Sequence, residues 1–269
     1  MSSIKHAVAS NRDAWNASAS LHRASDGWNA LIESVESAGF SCLDSTLTAL
    51  LNRVDLHDKA VIQLGCNNGR ESISLFSLGA RSVTGVDQSS AFLEQAHELS
   101  AKSPHSAEFV EADIYALPAS LLERFDVALI TIGVLNWMPD INAFFRHVAQ
   151  TLKPGGSLVI YETHPFLEML QPDAEDPWRI SQSYFQTDPI VEDKAIVYQG
   201  QGESNGLTSY WYIHRLSDII GGVIHAGLQV QDFNEYAHSN RESIYDVYED
   251  EGPDVPMCYT LVAVKSERR

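Results

Sequence analysis

Two hydrophobic periods alternate through the middle of this chain. Short apolar runs stand at 60–64 (AVIQL), 82–87 (SVTGVD), 107–113 (AEFVEAD), 125–131 (FDVALIT) and 157–163 (SLVIYET). Each predicts a buried strand. Between them, segments 70–78, 89–101 and 141–152 carry apolar residues at three- and four-residue spacing and predict helices. KPGG at 153–156 predicts a turn into the fifth strand. Strands that alternate with helices predict a parallel sheet covered on both faces, a Rossmann-like doubly wound α/β fold.

The pattern differs on either side. Residues 4 to 52 show helical spacing at Ile4, Val8 and Trp15, at Trp28, Leu31, Ile32 and Val35, and at Leu43, Leu47, Leu50 and Leu51. Two or three short helices are expected, broken near 25–27 and 39–41. After Thr163 the alternation stops. Residues 165 to 212 are rich in Pro, Asp, Gln and aromatics, and predict an inserted cap or a set of long loops. A helix over 215–226 and strands over 228–236 and 256–265 follow. The expected organisation is a helical lid over 1–52, a cofactor-binding core over 53–164, an inserted cap over 165–212, and a C-terminal part over 213–269 that completes the core.

Composition narrows the function. The chain has 269 residues, enough for one large α/β domain with a cap. Its formal charge is −18. A nucleic-acid surface needs basic clusters, and the nearest one is the terminal stretch 265–269, so no nucleic-acid partner is expected. No apolar run approaches the roughly 20 residues of a membrane helix, and the N-terminus lacks a signal-peptide apolar region. Cys42, Cys66 and Cys258 are odd in number and lack CxxC spacing. They read as reduced thiols in a cytoplasm. No set of side chains has metal-ligand spacing, and YEDEGPD (248–254) lacks the positions of a calcium loop, so no metal is expected. A homodimer is compatible with the chain.

The candidate chemistry begins at VIQLGCNNGR (61–70). A loop between a strand and a helix N-terminus can turn backbone N–H groups toward a polar ligand. Gly65 and Gly69 permit close approach and positive φ, and Asn67 and Asn68 tolerate such torsions best among other residues. Asp87 closes the second strand, where a carboxylate can accept from both ribose hydroxyls of a nucleoside, or cap the next helix. Asp113, followed by Ile114, ends the third strand, where it can accept from an adenine amino group. Polar residues at three successive strand ends share the rim where open α/β sheets bind ligands.

With VIQLGCNNGRE, VTGVDQS, FVEADIYALP, FDVALITIGVLNWMPD and LKPGGSLVIYE, the chain resembles the class I S-adenosylmethionine-dependent methyltransferases over residues 40 to 165, and less strongly in 214–236 and the last strand. The resemblance implies a seven-stranded, mostly parallel sheet with an antiparallel last strand, and S-adenosyl-L-methionine as cofactor. It sets Gly65, Cys66, Asn67 and Gly69 against the methionine part, Asp87 and Gln88 at the ribose, Asp113 and Ile114 around adenine, and Thr131 and Ile132 beneath the methyl group. Three positions depart from the family pattern. Gln63 stands where an acid is usual, Asn67 where glycine is common, and Asn136 where many relatives carry histidine.

Methyl transfer from a sulfonium is an in-line displacement that needs a shaped, dry pocket, and a base only if the nucleophile must lose a proton. His164, directly after the fifth strand, is the candidate base or acceptor contact, with Glu162 two residues earlier and His214 the second choice. Trp15 and His22, seven residues apart, can share a helical face toward the acceptor. Asn136 and Trp137 are expected beside the methyl group, and Tyr184, Trp211 and Tyr212 in an aromatic cap lining, together with Phe185, Tyr198 and Tyr210. The expected activity is methylation of a compact, heteroaromatic or other small N, O or S nucleophile. A nicotinamide-dependent oxidoreductase and a non-catalytic nucleoside-binding protein are the alternatives.

Overall fold

The computed structural model describes every residue except Met1, Ser25, 198–201, Glu251 and 268–269. Three helices open the chain: α1 (Ser2–Arg23), α2 (Asp26–Val35) and α3 (Ser45–Val54). The alternating part follows as β1 (Ala60–Leu64), α4 (Arg70–Ser74), β2 (Ser82–Asp87), α5 (Ser90–Lys102), β3 (Glu108–Glu111), β4 (Phe125–Ile130), α6 (Ile141–Thr151) and β5 (Leu152–Thr163). Then come β6 (Ile190–Lys194), β7 (Ser204–Trp211), α7 (Leu216–His225), β8 (Leu228–Tyr236), α8 (Val247–Asp250) and β9 (Cys258–Lys265).

The main sheet has seven strands in the order β3-β2-β1-β4-β5-β9-β8. The first five pair in parallel, and β9 runs antiparallel between β5 and β8. The period of two decides which residues go where. In β4, Ala128 and Ile130 join Phe144, Phe145 and Val148 of α6 on one face. Val127 and Leu129 join Leu47 and Leu51 of α3 and Leu93 of α5 on the other. Each fully buried aliphatic side chain contributes about 1.5–3 kcal/mol relative to exposure. Ser89 caps α5 and Asp140 caps α6, accepting from Phe92 N and Ala143 N at 3.3 and 2.9 Å.

The three N-terminal helices are separated near the expected breaks, although the first is longer than expected, at 22 residues. Two further expectations are revised. The helix expected over 70–78 is α-helical only to Ser74 and continues as a 3-10 turn over Leu75–Leu78. Residues 153–156 are taken into β5, whose pairing with β4 shifts register there. The segment after β5 contains a separate antiparallel hairpin, β6 with β7. Part of that segment, including Tyr198, lies outside the described residues.

The hairpin and α1 close over the carboxyl ends of the parallel strands together. Asn11, wholly buried, donates to Tyr210 O at 3.0 Å and accepts from Tyr210 N at 2.7 Å. Ser10 donates to Thr208 O. At the other end of α1, Asn16 accepts from the Ser89 hydroxyl and from Ala91 N, at the start of α5.

Candidate active site

The loop after β1 is wound by its own hydrogen bonds. Gly65 and Cys66 N–H groups both donate to Val86 O, at 2.8 and 3.0 Å. Asn67 N donates to Asp87 Oδ2 at 2.8 Å, Asn68 N to Asn67 Oδ1 at 2.8 Å, Gly69 N to Cys66 O at 2.9 Å, and Arg70 N to Asn68 Oδ1 at 3.4 Å. Every backbone donor from Gly65 to Arg70 is therefore engaged within the protein. This corrects the expectation that the loop offers N–H groups to a ligand. Asn67 adopts φ 51°, the left-handed region its side chain tolerates.

The glycines are small for the protein's own sake. A Cβ on Gly65 would come within 2.7 Å of the Val134 side chain, and one on Gly69 within 2.4 Å of the Phe109 ring. Cys66 is buried, and its sulfur fills the space beside Gly85. Burial also pushes its thiol well above the ordinary range. Cys66 and Gly69 thus shape the loop from inside.

What the rim presents is oxygen. The Asp87 carboxylate receives Asn67 N on one oxygen and Ser89 N, at 2.9 Å, on the other. Because Ser89 caps α5, Asp87 is released from the capping role. Burial raises its carboxyl, opposed by the N–H groups of Ser89, Asn67 and Gln88. Asp113 accepts from Tyr115 N at 2.9 Å and turns the chain over Ile114, which is buried. A carboxylate has about four acceptor positions, so Asp87 and Asp113 both retain capacity for ribose hydroxyl or adenine amino donors. These residues fit a nucleoside cofactor.

Beneath the loop stands Gln63, where the resemblance leads one to expect an acid. Its amide donates to Glu71 Oε2 and to Thr131 Oγ1, each at 3.0 Å, and its carbonyl accepts from Ser72 Oγ at 2.5 Å. Glu71, in the first turn of α4, supplies the negative charge that Gln63 lacks, and Arg241 pairs with it at 3.0 Å. The sequence reading passed over Glu71 because an acid in a first helical turn is ordinary. The signal for it was the missing charge at Gln63. Ile132 packs on the apolar cluster behind the sheet.

At the end of β5, Glu162 is fully buried and ties down the turn after β4. It accepts from Gly133 N at 2.7 Å, Leu135 N at 3.1 Å and Thr163 N at 3.2 Å. Burial outweighs these bonds and lifts its carboxyl to about 8. Asn136 donates to Tyr212 O at 3.0 Å and to Glu168 Oε1 at 3.3 Å, and Trp211 Nε1 donates to Glu168 Oε2 at 2.8 Å. Glu168, lifted to about 7 by burial, was not anticipated from sequence.

The aromatic expectations resolve into a chain of edge-to-face rings. Trp15 meets Trp137 at 5.3 Å, and Trp137 meets Trp211 at 4.9 Å. Trp15 and His22 do share a face, their rings 6.2 Å apart and both against Phe92. His22 is held at Ile196 O, 2.8 Å away, and burial lowers its pKa. Tyr212 stacks on His214 at 6.3 Å, and Tyr184 accepts from Leu216 N at 3.1 Å. Phe185 is exposed.

His164 stands differently from its expected role as a base. Its Nδ1 accepts from Phe166 N at 3.0 Å, so Nε2 carries the proton and donates to Glu235 at 2.9 Å. Both ring nitrogens are occupied, and the side chain is buried as a brace between β5 and β8. His214 Nε2 donates to Met138 O at 2.8 Å, and burial lowers its pKa, which keeps it neutral. Among the described residues no group of three or more His, Cys, Asp or Glu is placed to hold a metal ion, and no helix is long and apolar enough to cross a membrane.

Residues 61–156 match the family model of a methyltransferase domain. Over 106 residues the chain is 32% identical to a ubiquinone biosynthesis O-methyltransferase of Pseudomonas fluorescens, a match covering 39% of this chain and 45% of that one. The chain thus spans less than half the length of the curated relatives it matches. Among solved structures it superposes on an S-adenosylmethionine dependent methyltransferase from Mesorhizobium loti at 19% identity and TM-score 0.53, covering 90% of this chain and 99% of that one. It also superposes on magnesium protoporphyrin IX methyltransferase from Synechocystis with bound SAH, at 18% identity and TM-score 0.51, covering 83% and 81%. At these identities the structures share the fold.

Proposed function

We propose, from the premise that this chain carries a class I S-adenosylmethionine-dependent methyltransferase domain, that the protein transfers a methyl group to a small-molecule N, O or S nucleophile held under α1 and the β6–β7 hairpin. One observation supports this over a nicotinamide enzyme. A pyrophosphate needs unengaged backbone N–H groups at the loop and helix start. Here the loop donors from Gly65 to Arg70 are internally bonded, and the rim offers carboxylates instead. Such a rim suits ribose hydroxyls, an adenine amino group and a positively charged methionine portion. Asp87 and Asp113 are the proposed holders of the nucleoside, and Glu71 with Gln63 the proposed surroundings of the amino-acid end.

S-Adenosylmethionine, when bound, supplies an already activated methyl carbon. The protein's task is then positioning and exclusion of water. Glu162 holds the turn over Gly133–Leu135, which fixes the floor on which an acceptor rests. Asn136 ties that turn to the backbone of Tyr212. The ring chain from Trp15 to Trp211 roofs the same space. No unoccupied histidine nitrogen is assigned as a base, so the reading favours acceptors that lose their proton easily or carry none.

The test is calorimetric titration with S-adenosylmethionine, S-adenosylhomocysteine and NADH. Binding of the first two, with none of NADH, is expected, together with methyl transfer to at least one member of an amine, phenol and thiol panel. NADH binding would overturn the reading. Cofactor binding without transfer across the panel would favour a non-catalytic nucleoside-binding protein.

A further inference from the structure

Three carboxylates gather where β5 meets the cap. Glu162 is 1% exposed and Glu168 8% exposed. Glu242, half-buried, accepts from the Thr163 hydroxyl. None of the three enters an ion pair among the described residues. Uncompensated carboxylates are costly to bury, so the site must hold protons or receive a positive charge. Burial raises the carboxyl groups of all three, and the neighbouring Glu242 charge adds to the rise at Glu162 and Glu168.

A second, independent feature lies beside them. Tyr259 faces Glu162 across the β5–β9 pairing and is fully buried, yet its hydroxyl has no hydrogen-bond partner among the described residues. Buried hydroxyls are nearly always satisfied. Tyr259 and Glu162 border one narrow cleft with Asn136, Thr163 and His214; its free volume is about 10 Å³, room for a single group of the size of water or an ammonium head. Glu168 and Glu242 stand one hydrogen bond behind that wall, through Asn136 and Thr163. Glu162 uses three of its roughly four acceptor positions, which leaves one for the cleft.

We propose that this cleft takes the ammonium group of an amine-bearing methyl acceptor, with Glu162 as its charge partner and the Tyr259 oxygen as a further acceptor. An ammonium group brings only donors and a positive charge, which complements the orphaned tyrosine oxygen and the unpaired carboxylates. A neutral acceptor of the same size offers no charge to pair, and the carboxyl groups then keep their protons. The amine is a binding handle set deep in the cleft, and the nucleophile sits nearer the rim. This assignment rests on the methyltransferase reading for the word acceptor, but the site is defined by its own residues.

The test measures binding of matched probe pairs, dopamine against 4-ethylcatechol and tryptamine against 3-ethylindole, to the full chain with and without saturating S-adenosylhomocysteine. The amine of each pair is expected to bind at least tenfold more tightly than its neutral partner. Tyr259→Phe removes only the unpartnered hydroxyl, so it should fold normally, bind S-adenosylhomocysteine as before, and lose severalfold of the amine preference. Glu168→Gln should lose part of the same preference. Equal binding within each pair, or no amine binding at all, overturns the proposal. So does a Tyr259→Phe chain with unchanged preference, which would assign the hydroxyl to a trapped water only. Amine preference without S-adenosylhomocysteine binding would leave this site standing and remove the methyltransferase reading instead.

Discussion

The Gln63 side-chain amide donates to Glu71 Oε2 over 3.0 Å, so a neutral residue near the end of β1 is joined directly to an acid in the first turn of α4. The arrangement predicts a charge-swap result. Gln63→Glu should place two carboxylates side by side in a partly buried site, lowering stability by roughly 2 kcal/mol, about 4–8 °C in Tm. Adding Glu71→Gln should restore most of that loss, which thermal unfolding of the two single variants and the double variant measures. Glu71→Gln alone should weaken S-adenosylmethionine about tenfold, near 1.4 kcal/mol, by calorimetry.

Asp87 joins the loop after β1 to the start of α5 through Asn67 N and Ser89 N. Asp87→Asn loses the charge and one of two acceptor oxygens. The expected result is a 10–100-fold rise in the dissociation constant for S-adenosylhomocysteine, in line with about 1.5–3 kcal/mol for hydrogen bonds to a charged group. A lower Tm should accompany it, because the loop loses a tie. An unchanged dissociation constant in titration would remove Asp87 from the cofactor site.

Much of this framework was legible in the chain. SVTGVD and LQVQDFNEY are strands over the residues their patterns marked, the first because a strand buried on both faces leaves a short apolar run and the second because a half-buried edge strand leaves a partial alternation. The hairpin was not legible. In β6 the residues Val191 to Lys194 are exposed, and an exposed strand carries no hydrophobic alternation. The strand-end acids Asp87 and Asp113 stood out because their positions follow from strand boundaries. The engagement of the loop's donors did not, since it depends on Val86 O and Asp87, twenty residues away. Glu168 and Tyr259 gain their surroundings only through tertiary packing. His164 was read from its place on the rim, and it is Glu235 on a distant strand that occupies its ring.

Glu162 and Glu168 give a pH dependence of definite sign. Their folded carboxyl groups, at about 8 and about 7, lie above the roughly 4.3 of an unfolded glutamate. Between these values the folded chain binds more protons than the unfolded one, so stability falls as pH rises from about 4.5 to 8. Tm of the wild type should therefore decline over that interval more steeply than Tm of Glu162→Gln. Parallel profiles from pH 5 to 9 would contradict the assignment.

The roof depends on Asn11, which exchanges two hydrogen bonds with Tyr210 while wholly buried. Asn11→Ala leaves both Tyr210 backbone groups without those bonds, at about 1–3 kcal/mol. Amide hydrogen exchange over residues 2–23 should accelerate at least tenfold, while protection of β1 and β4 stays as in the wild type. Turnover on any acceptor should fall, since the site would admit water.

The most direct measurement is diffraction from crystals of the full chain grown with S-adenosylhomocysteine. The predicted density places the ribose hydroxyls on Asp87 and the adenine ring beside Asp113 and Ile114, with the sulfur directed toward Gly133 and the ring chain of Trp15, Trp137 and Trp211. Density for the nucleoside at another place, or a rim filled by side chains of α1 with no nucleoside bound, would contradict the account.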